Sequence, residues 1–402
     1  MNTVVASTTS TWRSQARRLT DVIPTCLKRV FVPFLLSRLA IILILSAAPL
    51  VAQVPAESWG KDDNIAIKLS ARAIADGLSR VAIGNDSGWY YTVAHDGYEQ
   101  RPFDTSRQAN WAFFPLHPLL WKAAAALSGE WVWSGIVLSN LLWLAGLCFL
   151  WLLTRRLTDS DRLADHATLF ASFWPASYFM MLPHTESLFF ALATASFLAA
   201  LTQRWWLAGF LGLFAGATRL NGLFLAPALF MRWLKGERRF ADLMKLAPIV
   251  FGVAIFMAYL WSITGNPLAF KDIQVAWGRE LHAPWAALLD YINRPHKIIT
   301  PWNPRILHFG VTVLALCSTV TCWKRGWHEL AVFTLLTLLA PLLTGTLTSM
   351  TRYAGVAPGI YVALAVWADK RPRLGQVWMA LSAISLALLS VLFALGINVG
   401  GA

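Results

Sequence analysis

The feature that most restricts this chain is a recurrence of apolar runs long enough to cross a bilayer, separated by short loops rich in Lys and Arg. In lipid only a helix or a closed barrel satisfies its own backbone, and a spanning helix needs about 20 apolar residues. The runs therefore predict an all-α polytopic membrane protein. Its spans fall near residues 30–52, 131–153, 166–182, 187–202, 207–221, 222–234, 246–263, 305–323, 329–347, 354–368 and 375–397, about eleven transmembrane helices. Charged residues are 14% of the chain, well short of the roughly one quarter usual in a soluble domain. Trp131, Trp133, Trp205, Trp206, Trp323 and Trp327 stand near the ends of these runs, the depth that amphipathic rings prefer.

The formal net charge is +13. Its sources are Arg155–Arg156, Arg204, Lys235, Arg238, Arg239, Lys245, Lys324–Arg325 and Lys370–Arg371–Arg373, and in this layout all of them fall on one side. Under the positive-inside rule that side is cytoplasmic. The excess then reads as a topology signal and an attraction for anionic membrane lipids; a nucleic-acid partner would want a basic face on a soluble domain and is not expected. Residues 1–29 read as a cytoplasmic tail, 30–397 as the membrane domain and 398–402 as a C-terminal tail. The first span reads as retained, because its basic lead-in is long and Arg38, placed to snorkel, interrupts the apolar run. The stretch 207–234 is either two short helices or one long span; the later basic clusters favour two. Cys26, Cys148, Cys317 and Cys322 have no metal-like or disulfide-framework spacing.

After the first span comes a polar outer loop, 53–111, too long to be idle between spans. Within it, Gly84 to Tyr98 is polar at both ends and aromatic in the middle. Asp86 stands where a helix N-cap would stand, Trp89 and Val93 are i,i+4, and Gly97 can close the helix. A short helix of this kind suits the membrane–water interface. Residues 112–127, with Pro115 and Pro118, are expected to re-enter the membrane without crossing it. The outward loops together hold Asp86, Asp96, His117, His184, Glu186, Arg219, Asn221, Lys271, Asp272, Arg279, Glu280, His282, Arg305 and Arg352. Ionisable groups in apolar surroundings are costly and usually functional. Nothing has metal-ligand spacing and no nucleotide-binding glycine loop is present, so any activated donor is expected from the membrane.

A family resemblance rests on these residues. Asn85–Asp86–Ser87–Gly88–Trp89–Tyr90, Gly97–Tyr98 and Ala112–Phe113–Phe114–Pro115–Leu116 resemble the first outer loop of the PIG-V-like mannosyltransferases. These are relatives of the enzyme that adds the second mannose of GPI anchors, within the multi-span, lipid-donor C-type glycosyltransferases. Thr185–Glu186–Ser187–Leu188–Phe189, Ala217–Thr218–Arg219 with Asn221–Gly222, Thr264 to Phe270 with Trp277–Gly278–Arg279, and Arg352–Tyr353 resemble later motifs in the same order. The sequence departs at Asn85, where the family has Trp, and at Arg107–Gln108, where eukaryotic members have Glu-Gln. The second departure removes an acidic role from the loop and favours a bacterial member. Its site would face outward from the cytoplasmic membrane; in a eukaryote the endoplasmic reticulum membrane is implied.

The resemblance implies a C-type architecture whose large first outer loop carries short interfacial helices. It implies a polyprenyl-phosphate sugar donor, mannose first, a glycolipid or extracytoplasmic glycan acceptor, and one inverting displacement. Asp86 is the candidate general base. Arg219 and Arg352, with His184 and Lys271 behind them, are the candidates for the donor phosphate. Glu186, Trp89, Tyr90, His117, Asn221 and Arg279 are candidates to orient substrate. No metal or other cofactor is expected. A multi-span transporter or flippase would also carry broken helices and buried charge, although it would often show paired halves, which are not visible in this sequence. A non-catalytic glycosyltransferase subunit is the other alternative.

Overall fold

The computed structural model describes residues 4–52, 71–296 and 305–397, which contain helices and no strand. In chain order the helices are α1 (Val4–Ala52), α2 (Ala71–Ala82), α3 (Asp86–His95), α4 (Leu116–Ser128), α5 (Trp131–Thr158), α6 (Asp161–Ser172), α7 (Glu186–Leu201), α8 (Trp205–Thr218), α9 (Leu225–Trp233), α10 (Phe240–Met244), α11 (Pro248–Thr264), α12 (Ala269–Asp272), α13 (Ala286–Asn293), α14 (Arg305–Lys324), α15 (His328–Leu342), α16 (Met350–Ala354), α17 (Pro358–Lys370) and α18 (Pro372–Ala394). Part of the expected outer loop, 53–70 with Lys61, Asp62 and Asp63, lies outside the described residues.

Among the described residues five segments are long and apolar enough to cross a membrane: Pro24–Ala48, Trp131–Thr158, Phe240–Thr264, Arg305–Lys324 and Pro372–Ala394. Three more, Glu186–Leu201, Trp205–Thr218 and His328–Leu342, are apolar but shorter. Leu35, Leu39, Ile255, Ile384 and Leu388 are exposed on the long segments, as lipid-facing side chains would be. Fewer helices reach spanning length among the described residues than the about eleven expected, and several of the apolar runs are broken inside. The run 166–182 is one example: α6 ends at Ser172 and the chain continues as a 3-10 turn, Ser177–Met180. Pro175 between them cannot donate to a helix and pushes Trp174 out of helical geometry. The run 207–234 is two short helices, α8 and α9, joined through a 3-10 turn at Leu220–Phe224. A Cβ at Gly222 would lie 2.2 Å from the Gly216 nitrogen, so only glycine lets this turn fold back onto α8.

The segment expected as a tail is helical from Val4 onward and runs into the first span without interruption. Arg38 does not snorkel. It is 4% exposed and donates to the Ser177 carbonyl at 3.2 Å and to the Ser177 hydroxyl at 2.5 Å. Those bonds tie α1 to the 3-10 turn that leads toward α7.

Helix α7 is apolar on every side after its first turn and is buried on nearly every side, packed against α5, α8 and α9. Gly209 and Gly212 meet Lys245 and Ile249, the close helix packing that small residues permit in a membrane.

Charge separates along α5. This helix has 28 residues, which at 1.5 Å per residue is about 42 Å. At its start, Trp131 touches the rings of Tyr91 and His95 on α3. At its end, Arg155 pairs with Asp161 at 2.8 Å, Arg29 with Asp165 at 2.6 Å, and Arg162 with Asp369. Trp367 donates to Thr321 at 3.2 Å and Lys235 to the Gly326 carbonyl. The basic clusters near 155, 235, 324 and 370 thus gather at one end, with α3 at the other.

Candidate active site

Asp86 opens α3, but the cap position belongs to Asn85, in the left-handed region at φ 53° with no side-chain cap bond. The N-cap expectation for Asp86 is corrected: the chain turns into the helix at Asn85, with φ 53° and ψ −136°, so the sharp entry falls one residue earlier. The Asp86 carboxylate accepts instead from Arg352 Nη1. Gly97 closes the helix at φ +87°, its N–H donating to the Val93 carbonyl at 3.2 Å. The following loop is pinned by its own side chains. Asn110 donates to the Gly97 carbonyl at 2.9 Å and accepts from the Glu99 N–H at 3.0 Å, while Arg101 lies 4.4 Å over the buried Trp111 ring.

Glu186 is the first residue of α7 and is fully buried. Its place is set by the turn Pro183–His184–Thr185, and a carboxylate in a first turn is favoured by the helix dipole. Thr185 makes no side-chain cap bond, and Ser187 donates to the Met180 carbonyl at 2.6 Å. Glu186 Oε1 accepts from Arg219 Nη1 and from Arg352 Nε, both at 2.5 Å. Its Oε2 has no partner among the described residues.

Arg219 comes from the break between α8 and α9, and Arg352 from the short helix α16. Asp86, Arg352, Glu186 and Arg219 therefore form one chain of alternating charge. Among the described residues each arginine leaves its Nη2 without a partner. Aromatic faces complete the setting: Phe179 lies 4.5 Å from the Arg352 guanidinium and Tyr353 5.3 Å from that of Arg219.

Asp86, Tyr90, Arg219, Asn221 and Arg352 line a cavity of about 620 Å³. Phe113, Phe114, Phe270 and Trp277 give it apolar walls, and Lys271, Asp272, Arg279 and Glu280 stand on the side of the 269–281 segment. Arg279 is held by Gln274 at 2.7 Å; Lys271 is two-thirds exposed and lies 3.6 Å from Asp272. Asn221 is buried with its Nδ2 unpartnered among the described residues.

Four of the proposed residues are not on the cavity wall. Glu186 sits behind the arginines. Trp89 stacks on Phe113 with centroids 5.7 Å apart and meets Trp277 edge-on, so it supports the wall without facing the space. His184 is buried against the Ser87 hydroxyl, 3.1 Å from Nδ1. Burial first, then the nearby Arg352, hold its pKa down to about 3 against the pull of Glu186 and Asp86. A neutral ring at that place offers a hydrogen bond but no charge to a phosphate. His117 is buried beside Tyr90 with neither ring nitrogen partnered among the described residues, and burial lowers its pKa to about 4.

Residues absent from the sequence-based set also line the cavity: Gln274, Thr344, Thr346, Thr348 and Ser349. A Thr/Ser-rich link between two apolar runs looks like any loop, so the only available signal was its position directly before the Arg352 motif. Among the described residues no three His, Cys, Asp or Glu side chains are grouped as a metal site.

The fold and this cavity define an all-α integral membrane protein with a charged, partly aromatic cleft at the end opposite its basic clusters. Over 181 residues the chain is 30% identical to GPI mannosyltransferase 2 of Schizosaccharomyces pombe. The matched stretch is 42% of this chain and 39% of the relative, so the chain spans about two fifths of that protein's length. That relative is of the PIG-V-like kind whose motifs the sequence resembles. No family model matches the chain. Two crystal structures of the Archaeoglobus fulgidus oligosaccharyltransferase overlap it in part. One is tethered to an acceptor peptide through a disulfide bond and has TM-score 0.44 at 14% identity, over 79% of this chain and 50% of the other. The second, in complex with Zn and sulfate, has TM-score 0.43 at 13% identity, over 81% and 53%.

Proposed function

We propose that this protein is a PIG-V-like membrane glycosyltransferase. It moves a sugar, mannose in the first instance, from a polyprenyl-phosphate donor to a hydroxyl of a lipid-linked or extracytoplasmic glycan. The observation that carries the reading is the Asp86–Arg352 pair on the wall of a 620 Å³ cavity, with Arg219 beside it. The similarity to a GPI mannosyltransferase supports the same class.

In this reading Asp86 takes the proton of the acceptor hydroxyl as its oxygen bonds to the sugar's anomeric carbon. The bond from that carbon to the phosphate oxygen breaks on the opposite face, and the electron pair leaves with the phosphate. The free Nη2 groups of Arg219 and Arg352 bind that phosphate as its charge grows. Glu186 holds both guanidiniums in place, so it orients arginines before it orients sugar. Because Arg352 holds Asp86 through Nη1, base and phosphate grip share one rigid group. Asn221, Arg279 and the cavity's hydroxyl-bearing residues are placed to receive sugar hydroxyls, with Lys271 at a more exposed position on the wall. The active site faces outward from a bacterial cytoplasmic membrane.

The test is transfer from radiolabelled polyprenyl-phosphate mannose in membranes and with purified protein. Asp86→Asn is expected to lose about 10²- to 10⁴-fold in rate, with unchanged insertion and folding. Wild-type turnover in a purified, folded Asp86→Asn protein would remove the base assignment. No transfer by the wild type from any polyprenyl-phosphate sugar would remove the reading itself.

A further inference from the structure

A second cavity, of about 460 Å³, lies at the basic end between α6, α14, α17 and α18. It shares no lining residue with the cavity at Asp86, and nothing in the proposed reaction uses it. Its walls are apolar: Phe170, Leu314, Leu364 and Leu374. At its mouth are Lys370 and Arg371, both exposed. The nearest acid, Asp369, is already paired with Arg162, so the mouth keeps its positive charge. The first turn of α18 begins here with Pro372, and the N–H groups of Arg373 and Leu374 have no acceptor earlier in that helix.

The Trp378 ring lines this cavity, with its Nε1 closed off from the open space. Gly375 brings α18 against α17 at this point: a Cβ there would lie 2.6 Å from that of Ala368. The cavity is thus a slot with greasy walls, an indole ring on its lining and cations at the rim.

We infer that this slot holds one anionic phospholipid of the leaflet at the basic end, its phosphate at Lys370, Arg371 and the start of α18, and its glycerol-ester region at Trp378. A lipid fits where a soluble anion does not, because the walls need apolar chains to fill them. The basic residues at the rim select an anionic headgroup over a zwitterionic one.

The experiment is native mass spectrometry of the full-length protein released from nanodiscs of phosphatidylcholine with phosphatidylglycerol. The wild type is expected to retain one phosphatidylglycerol through delipidating detergent washes. Lys370→Ala with Arg371→Ala should weaken retention roughly thirty-fold. Trp378→Ala, which removes the ring from the lining, should weaken it roughly ten-fold. Arg238→Ala, a basic change elsewhere at the same end, should leave it unaltered. Equal retention of phosphatidylcholine, or unchanged retention in the double variant, overturns the inference. So does equal thermal stabilisation by inorganic phosphate, which would make the slot an anion site with no lipid in it.

Discussion

The two ends of this protein use the same chemistry at different depths. At the basic end, arginines pair with aspartates in the open: Arg162 keeps 70% of its side chain exposed and Arg155 keeps 39%. At the cavity end, Arg352 is 7% exposed and Glu186 fully buried, and each carboxylate or guanidinium in the chain serves more than one partner or a defined cleft. Exposed pairs are screened by water and contribute little, whereas a buried charge deprived of its partner has no solvent to turn to. Burial, more than pairing, separates a surface that orients the protein in a membrane from a site able to do chemistry.

The sharpest way to break this comparison is Glu186→Ala. It leaves Arg219 and Arg352 buried without their shared carboxylate and should cost about 3–5 kcal/mol, read as a large drop in the melting temperature of detergent-purified protein. A loss as small as that of an exposed pair would remove the distinction. Next in size is Gly222→Ala, which forces the turn carrying Arg219 off α8 and should cost about 1–3 kcal/mol, with transfer falling alongside stability.

The cavity end should also respond to pH through His184. Its folded pKa, about 3, lies below the ordinary 6.5, so the unfolded chain binds the extra proton in between. Stability is therefore whole above pH 6.5 and falls as pH drops toward 3, by up to about 1.4 kcal/mol per pH unit. Melting curves of His184→Asn should show a shallower acid slope than the wild type; identical slopes would exclude this histidine as a contributor. The smallest effect belongs to the basic end. Arg162→Ala should change stability by about 1 kcal/mol or less and leave transfer intact, and a larger loss would show that the exposed pairs are structural after all.

Some of the candidate site was legible in the residues themselves. Glu186, Arg219 and Arg352 stand out because an ionisable group inside an apolar run is costly and needs a reason. The same rule says nothing of which way a side chain faces, so His184 stood behind the arginines as a phosphate candidate and His117 among the substrate-orienting residues, although the fold buries both behind the cavity wall. Trp89 was grouped with Tyr90, yet helical geometry turns the two neighbours apart, one into ring packing and one onto the cavity. Thr344 to Ser349 went unnoticed because hydroxyls in a loop carry no signal until the loop is known to face a space.

What the chain determines by itself is its solvent and its polarity. Apolar runs demand lipid, and basic clusters choose one end, because both properties add up residue by residue along adjacent positions. Which runs truly cross, and which stop at Pro175 or turn at Gly222, depends on partners packed from elsewhere. The bond between Asp86 and Arg352 joins side chains 266 positions apart. Only the assembled bundle brings them together, by burying Arg352 and leaving Asp86 at the edge of the cavity as its nearest substitute for water.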